Sequence, residues 1–225
     1  QENWKPQLLL LYTLREEVHP DDSSENIDKS KAGQSGHTHE LMLSVAEQLR
    51  HGSGLIIAAA IIPKGNELMD DVQQVEKERA QMETIMADMG VRGFCMPVLS
   101  PSGFEGKRYA LQCAGVGPLT PNTLLMGWPW WWRSDPRKYV TEFLLTINQA
   151  TLWSKTVLLC HNLNDFPAMD QVLDGFIDVW WIIRDGGLLL LISHLLQKHR
   201  VWRGCDSRLH LVMESGVNPQ EIKER

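Results

Sequence analysis

Several features are scarce or absent in this sequence, and each absence excludes a class of protein. The four cysteines, Cys95, Cys113, Cys160 and Cys205, stand singly, without the paired spacing of a zinc site, and are expected to be reduced thiols in the core of a cytosolic protein. The net charge of −6 offers no positive field to a nucleic acid. No apolar run approaches the ~20 residues that a membrane helix needs. We therefore expect a soluble domain that does not bind nucleic acid.

Two nucleotide-binding motifs are also missing. Gly115-x-Gly117 is not a GxGxxG fingerprint, and no GxxxxGK[ST] sequence occurs, which disfavours a dinucleotide fold of the usual kind and a P-loop. The glycines precede Asn122 and Thr123, so backbone amides and a hydroxyl could contact phosphates. The alternative is a turn that leads into a strand, and the residues by themselves favour the turn.

Motifs for catalysis and metal binding are equally scarce. No serine–histidine–aspartate order, carboxylate pair or nucleophile elbow is present, so the residues support no enzymatic activity. His37 and His39 have no acidic or thiol partner nearby, and no metal is expected. Asp178 beside Trp180 is either a buried functional carboxylate or, as the residues favour, a strand-end aspartate that caps a turn.

What the sequence does contain is a regular alternation of apolar runs and amphipathic segments. Its apolar content of 43% is typical of a globular domain. Residues 15–37 are polar without periodicity, which predicts a long mobile loop. The alternation predicts an α/β fold, with a largely parallel sheet flanked by helices. The strand candidates are 7–14, 54–62, 93–99, 122–127, 156–160, 177–183 and 207–213, and the helix candidates begin at Thr38, Asn66, Phe104, Asp135 and about Leu188.

Five segments carry a family resemblance. They read NWKPQLLLL at 3–11, GFCMPVLSP at 93–101, PNTLLMGWPWWWR at 121–133, IDVWWIIRDGGLLLL at 177–191 and LLQKHRVWRGCDSRL at 195–209. Together they resemble the cytosolic C-terminal domain of the cation-chloride cotransporters. Within that family, the GWP sequence followed by Trp132 and Arg133 is similar to the potassium-chloride branch.

The resemblance implies a fold and a role. The fold would consist of universal-stress-protein-like, Rossmann-like half-units that share one sheet, the first over 1–153 and the second beginning in 154–225 and incomplete. The domain would be a regulatory module without catalytic activity, on the cytoplasmic face of the plasma membrane. Its implied partners are the transmembrane domain of the same polypeptide, a second copy in a homodimer, and regulatory kinases. The start at Gln1, without an initiator methionine, is typical of a piece of a longer protein.

The resemblance also implies that ATP binds the first half-unit, at the ends of its first, second and fourth strands. Asn122 and Thr123 would then face ribose or phosphate. The family's usual lysine before this pair is replaced by Thr120, so a cation near the phosphates is lost and weaker binding is expected. The implied ATP-binding residues are Pro6, Leu8, Ile56, Asn122, Thr123 and Leu125.

Two other classes of protein stay open from the residues. One is a free-standing nucleotide-binding protein of the universal-stress type. The other is an enzyme on a Rossmann-like sheet, which the missing fingerprint disfavours.

Overall fold

The computed structural model of this chain contains two compact units, Gln1–Phe166 and Pro167–Arg225. The division falls after Phe166 rather than after Trp153, so the strand predicted at 156–160 belongs to the first unit. The residues described are 5–13, 29–50, 54–65, 67–129, 137–182 and 187–212.

The first unit alternates strands and helices as the sequence predicts. Its strands form one five-stranded parallel sheet in the order β3-β2-β1-β4-β5. The predicted α/β architecture is therefore confirmed. The elements are β1 (Leu8–Thr13), α1 (Lys29–Arg50), β2 (Ile56–Pro63), α2 (Leu68–Asp88), β3 (Phe94–Ser100), α3 (Gly103–Cys113), β4 (Thr123–Gly127), α4 (Arg137–Leu152), β5 (Thr156–Cys160) and a 3₁₀ turn at Leu163–Asp165.

The core lies on both faces of the central strands. Leu9 and Leu124 belong to a cluster that includes Ala110 of α3 and Ala150 of α4. Neighbouring residues along a strand point to opposite faces, so the equally buried Leu8, Leu10 and Leu125 point away from that cluster. Helix α1 packs against β1, β2 and β4. The unbroken apolar runs of β1 and β4 are explained by this burial on two faces.

One helix starts earlier than the sequence predicts. Helix α1 begins at Lys29, so 29–37, predicted as part of a mobile loop, is helical. The rest of that loop, 15–28, lies outside the described residues. The prediction relied on apolar periodicity, which this stretch lacks, and Gly33 and Gly36 also disfavour a helix by intrinsic propensity, so no local signal in the sequence predicts this extension.

The apolar stripe predicted on α2 is buried at one end only. Met82 and Met86 are in the core, while Leu68, Met69 and Val72 in the first turns are exposed. A helix of 21 residues is about 31 Å long, whereas a strand of seven residues spans about 23 Å. The amino-terminal turns of α2 therefore extend past β3, the edge strand on which the helix packs.

The second unit is a single β-α-β unit. It contains β6 (Asp174–Ile182), α5 (Leu188–Lys198) and β7 (Gly204–Val212), and β6 pairs with β7 in parallel. The two strands form a sheet of their own, so the expectation that both half-units share one sheet does not hold for the described residues. The alternation of apolar runs and helical segments predicts each strand, but it carries no information about which strands pair with each other.

Helix α3 lies close to the sheet at Gly106, and a substitution there tests this contact. A methyl group there would overlap Ile61 Cγ2 and would come within 2.5 Å of Ser100 Oγ. We expect Gly106→Ala to lower the free energy of unfolding by about 1–3 kcal/mol through overpacking. Gln112→Ala, on an exposed position of the same helix, should change it by less than about 0.5 kcal/mol. Urea unfolding followed by circular dichroism measures both, and equal values would contradict the packing argument.

Candidate functional site

The residues predicted to bind ATP lie at the amino-terminal edge of the first sheet. Leu8 is in register with Ile56 on β2 and with Thr123 on β4, and Pro6 lies two residues before this strand start. Leu125 lies two residues further along β4. The structure therefore groups most of these residues, but the side chains of Leu8, Ile56, Thr123 and Leu125 are fully buried.

Asn122 is engaged by hydrogen bonds within the protein. Its Oδ1 accepts from the backbone N–H of Gln7 at 3.0 Å and from the hydroxyl of Thr123 at 2.8 Å. Its Nδ2 donates to the carbonyl of Lys5 at 2.9 Å. The amide therefore connects the start of β4 to the segment that enters β1. The role predicted for Asn122 and Thr123, contact with ribose or phosphate, stays a prediction, and their polar atoms have partners within the protein.

Lys155 is a buried cation at the same edge. Its Nζ donates to the carbonyl of Pro121 at 2.7 Å, and burial lowers the pKa of its ammonium group. The sequence predicted that replacement of the family lysine by Thr120 removes the positive charge near Asn122. The structure places another lysine beside the same segment, where it connects the start of β5 to the loop before β4.

The glycine loop before β4 forms a closed turn. The backbone N–H groups of Val116 and Leu119 each donate to the carbonyl of the other residue, at 3.2 and 3.1 Å. Gly115 has a φ of 96°, and a Cβ there would overlap the carbonyl of Leu119. Two of the loop amides are thus bonded within the turn. The loop is therefore a turn that leads into β4, and contact of its other amides with phosphate stays a prediction.

The opposite, carboxyl-terminal edge contains the position where the strand order reverses. The chain proceeds from β1 outward to β3 on one side and returns to place β4 and β5 on the other. In open α/β sheets, ligands bind in the crevice at such a switch point. Here it lies between Thr13, which ends β1, and Gly127, which ends β4. A Cβ added to Gly127 would have one atom within 4 Å, Met42 Sδ at 3.8 Å.

Trp128, the first aromatic residue after β4, packs against the fold. Its backbone N–H donates to the carbonyl of Cys160 at 2.6 Å. Its ring makes edge contacts with Phe143 and His161, with centroids 5.8 and 6.4 Å apart. The large aromatic surface expected after this strand also involves Trp130–Trp132, which lie outside the described residues.

A group of polar and aromatic side chains, which we call the Asp178 cluster, occupies one face of the second unit. It consists of Asp178, Arg208, His210, Trp180 and Phe176. The guanidinium of Arg208 donates twice to Asp178, at 2.8 and 2.9 Å, and lies 4.1 Å from the centre of the Phe176 ring. His210 Nε2 is 2.8 Å from Asp178 Oδ1, and its ring stacks on Trp180 at 4.3 Å.

This cluster was not predicted from the sequence, and both alternatives predicted for Asp178 are wrong. Asp178 lies in the middle of β6 and is partly exposed, so it is neither a buried carboxylate nor a turn cap. The register pairs Asp178 with Arg208 and Trp180 with His210. Alternation within each strand predicts that these four residues share a face, but their pairing requires the alignment of two strands more than 20 residues apart in sequence, for which no local signal exists.

The electrostatics of the cluster indicate an ion-pair network. The hydrogen bonds from Arg208, and then from His210, lower the pKa of Asp178 to about 2. A carboxyl held ionised in this way is a poor proton acceptor at neutral pH. In the described part of the chain, no three His, Cys, Asp or Glu side chains are close enough to hold a metal ion. The four cysteines are free thiols, of which Cys205 is buried and Cys113 exposed.

These features define an α/β domain whose strand order reverses between β1 and β4, followed by a unit whose described residues form a β-α-β arrangement. The model of solute carrier family 12 matches residues 40–164 and 155–224, and the chain therefore belongs to that family. Among solved structures, the chain is similar to the cytoplasmic domain of a prokaryotic cation chloride cotransporter. That match has 14% sequence identity and a TM-score of 0.50, and covers 95% of this chain and 68% of that chain.

The structural match shows a shared fold. It agrees with the family resemblance of the five sequence segments. No described helix is long and apolar enough to cross a membrane.

The ion pair of Asp178 predicts how its carboxyl titrates. In the folded protein the carboxylate should persist until the pH falls to about 2, below the ordinary value of 3.8. Because the folded pKa is lowered, the stabilisation is present above pH 3.8 and is lost as the pH falls toward 2. We expect Arg208→Met to return the pKa of Asp178 toward 3.8.

The carboxyl carbon shift of Asp178, followed by NMR from pH 7 downward, measures this change. Arg203→Met removes an exposed arginine of the same unit that forms no ion pair with Asp178, and should leave the titration unchanged. An identical pKa in the wild type and in Arg208→Met would show that the ion pair does not form in solution.

Proposed function

We propose that this chain is a cytosolic regulatory domain of an electroneutral potassium-chloride cotransporter. The observation that carries the proposal is the match of the solute carrier family 12 model to both units of the chain. The solved structure with a similar fold is the cytoplasmic domain of a cotransporter. This similarity supports a cytoplasmic location for this chain as well. Potassium rests on the resemblance of 121–133 to the potassium-chloride branch.

The domain acts on transport through other parts of the transporter. Its partners are the transmembrane domain of the same polypeptide, a second copy of the domain, and kinases that act on the polypeptide. The Asp178 carboxylate is engaged in an ion pair with Arg208, which supports a structural role for this residue in the domain and no catalytic one. Family membership also favours this function over that of a free-standing stress-type protein, whose fold would be similar.

A regulatory nucleotide, ATP, is part of the proposal, at the switch-point crevice. The strand order supports this edge, where β1 and β4 end side by side. Helix α4, which follows β4, starts there with Arg137 and has no acidic residue in its first turn. A helix amino terminus attracts phosphate, and an arginine adds positive charge. At the amino-terminal edge, in contrast, Asn122 and Lys155 are occupied by backbone carbonyls and amides.

Ion transport by the full-length polypeptide tests the main proposal. In cells that express it, we expect chloride-dependent rubidium uptake that does not require sodium. Deletion of 5–212 should change the uptake at an equal amount of transporter on the cell surface, because a regulatory domain biases the transport cycle. Uptake that requires sodium would contradict the potassium-chloride assignment, and unchanged uptake after the deletion would contradict a regulatory role.

Thermal unfolding of the purified chain tests the nucleotide. At ATP concentrations about 100 times the dissociation constant, binding adds about 2.7 kcal/mol, or roughly 5–11 °C in the midpoint for a chain of this size. We expect Gly127→Val, which adds bulk at the carboxyl-terminal end of β4 beside the reversal of strand order, to reduce that shift. Asn122→Ala should lower the midpoint without ATP, because buried partners lose their hydrogen bonds, but should keep the ATP-induced shift.

The opposite effects of the two substitutions would indicate that ATP binds at the amino-terminal edge of the sheet. In that case Asn122→Ala would abolish the shift and Gly127→Val would keep it. No shift at millimolar ATP in the wild type would remove the nucleotide from the proposal and leave a docking and assembly domain.

A further inference from the structure

The carboxyl group of Asp71, in the first turn of α2, is buried and only half bonded. The residue is 1% exposed. Its Oδ1 accepts a hydrogen bond from the backbone N–H of Gly65 at 2.6 Å. Its Oδ2 is also buried, and it has no hydrogen-bond partner in the described part of the chain. A buried acceptor without a donor is costly to the fold, so this oxygen calls for a donor that the protein itself does not supply.

This carboxyl group lies at the carboxyl-terminal edge of the first sheet. Gly65, which bonds it, follows the end of β2 at Pro63 by two residues. Strand β2 pairs with β1, and β1 pairs with β4, so Asp71 lies one strand away from the reversal of strand order. Lys64 and Gly65 are exposed, so a small displacement of this short segment gives a ligand access to Oδ2.

The charges on the two sides of this reversal have opposite sign. On the β2 side, Glu67 and Asp70 precede Asp71 in the chain, and both are exposed. On the β4 side, α4 begins with Arg137 and has no acidic residue in its first turn. Phosphate is repelled by the first group and attracted by the second. A nucleotide at this edge therefore has its phosphates toward α4 and its sugar toward α2.

We propose that Asp71 accepts a hydrogen bond from a ribose hydroxyl of the nucleotide in the proposed function, on which this inference rests. A hydroxyl supplies the donor that Oδ2 lacks and brings no negative charge to the acidic side. Strands β2 and β4 are separated by one strand, hence by about 10 Å, which a nucleotide bridges. In dinucleotide-binding folds, whose strand order is similar, an acidic side chain binds the ribose hydroxyl.

Isothermal titration calorimetry of the purified chain with ATP and with dideoxy-ATP, which lacks both ribose hydroxyls, tests the proposal. The wild type should bind dideoxy-ATP on the order of tenfold or more weakly than ATP, because a hydrogen bond to a charged group is lost. Asp71→Asn should bind both ligands equally weakly, since an amide NH2 replaces the accepting oxygen. The amide oxygen still accepts from Gly65, so this variant should unfold close to the wild-type midpoint.

Asp70→Asn is the matched control. It makes the same change of charge at the preceding residue, which is exposed, and it should leave the preference for ATP over dideoxy-ATP unchanged. An equal loss of preference in Asp70→Asn would show that the acidic charge of this turn, and not a hydrogen bond to Asp71, selects the ribose. That result would overturn the inference.

The outcomes separate this inference from the proposed function. Equal affinity of the wild type for ATP and dideoxy-ATP, or a preference for ATP that Asp71→Asn retains, would overturn the contact with Asp71 and would leave the nucleotide in place. No binding of ATP by the wild type at millimolar concentration would overturn the nucleotide and this contact together, while the transport experiment still decides the role of the domain.

Discussion

The burial of β1 and β4 on both faces is the constraint on which the first unit depends. These neighbouring strands consist largely of leucines that have no contact with solvent. Such strands are stable only if helices cover both faces of the sheet, which is why α1 lies on one face while α3 and α4 contribute to the cluster on the other. The reversal of strand order between β1 and β4 follows from the same arrangement.

The two edges of this sheet have different chemical character. At the amino-terminal edge, Asn122 and Lys155 form hydrogen bonds with the backbone groups at the strand starts, so polar side chains there stabilise the fold. At the carboxyl-terminal edge, β4 ends at Gly127, where a Cβ would be in ordinary contact with Met42 Sδ at 3.8 Å. The segment Pro121-Asn122-Thr123 therefore connects the start of β4 to the segment that enters β1 and to Lys155.

The second unit depends on a different kind of interaction. Two parallel strands with one helix expose a face that parallel sheets usually cover, and Phe176, Trp180 and Ile182 lie on it. On this face the bidentate contact between Asp178 and Arg208 and the stacking of Trp180 on His210 hold the strands in register. Cross-strand pairs of this kind are the local unit of sheet stability, and here they act without the support of neighbouring strands.

For the part of the chain that the structure describes, the sequence by itself determined the seven strands, the five α-helices and the parallel α/β class, because apolar runs and helical periodicity are local properties of the chain. The resemblance of five segments also led to the family that the whole-chain comparison shows. Only the tertiary structure decided that Asn122 bonds the segment that enters β1, that Lys155 lies beside Pro121, and that Asp178 pairs with Arg208. These facts depend on strand order and register between segments far apart in sequence, and no local pattern encodes either.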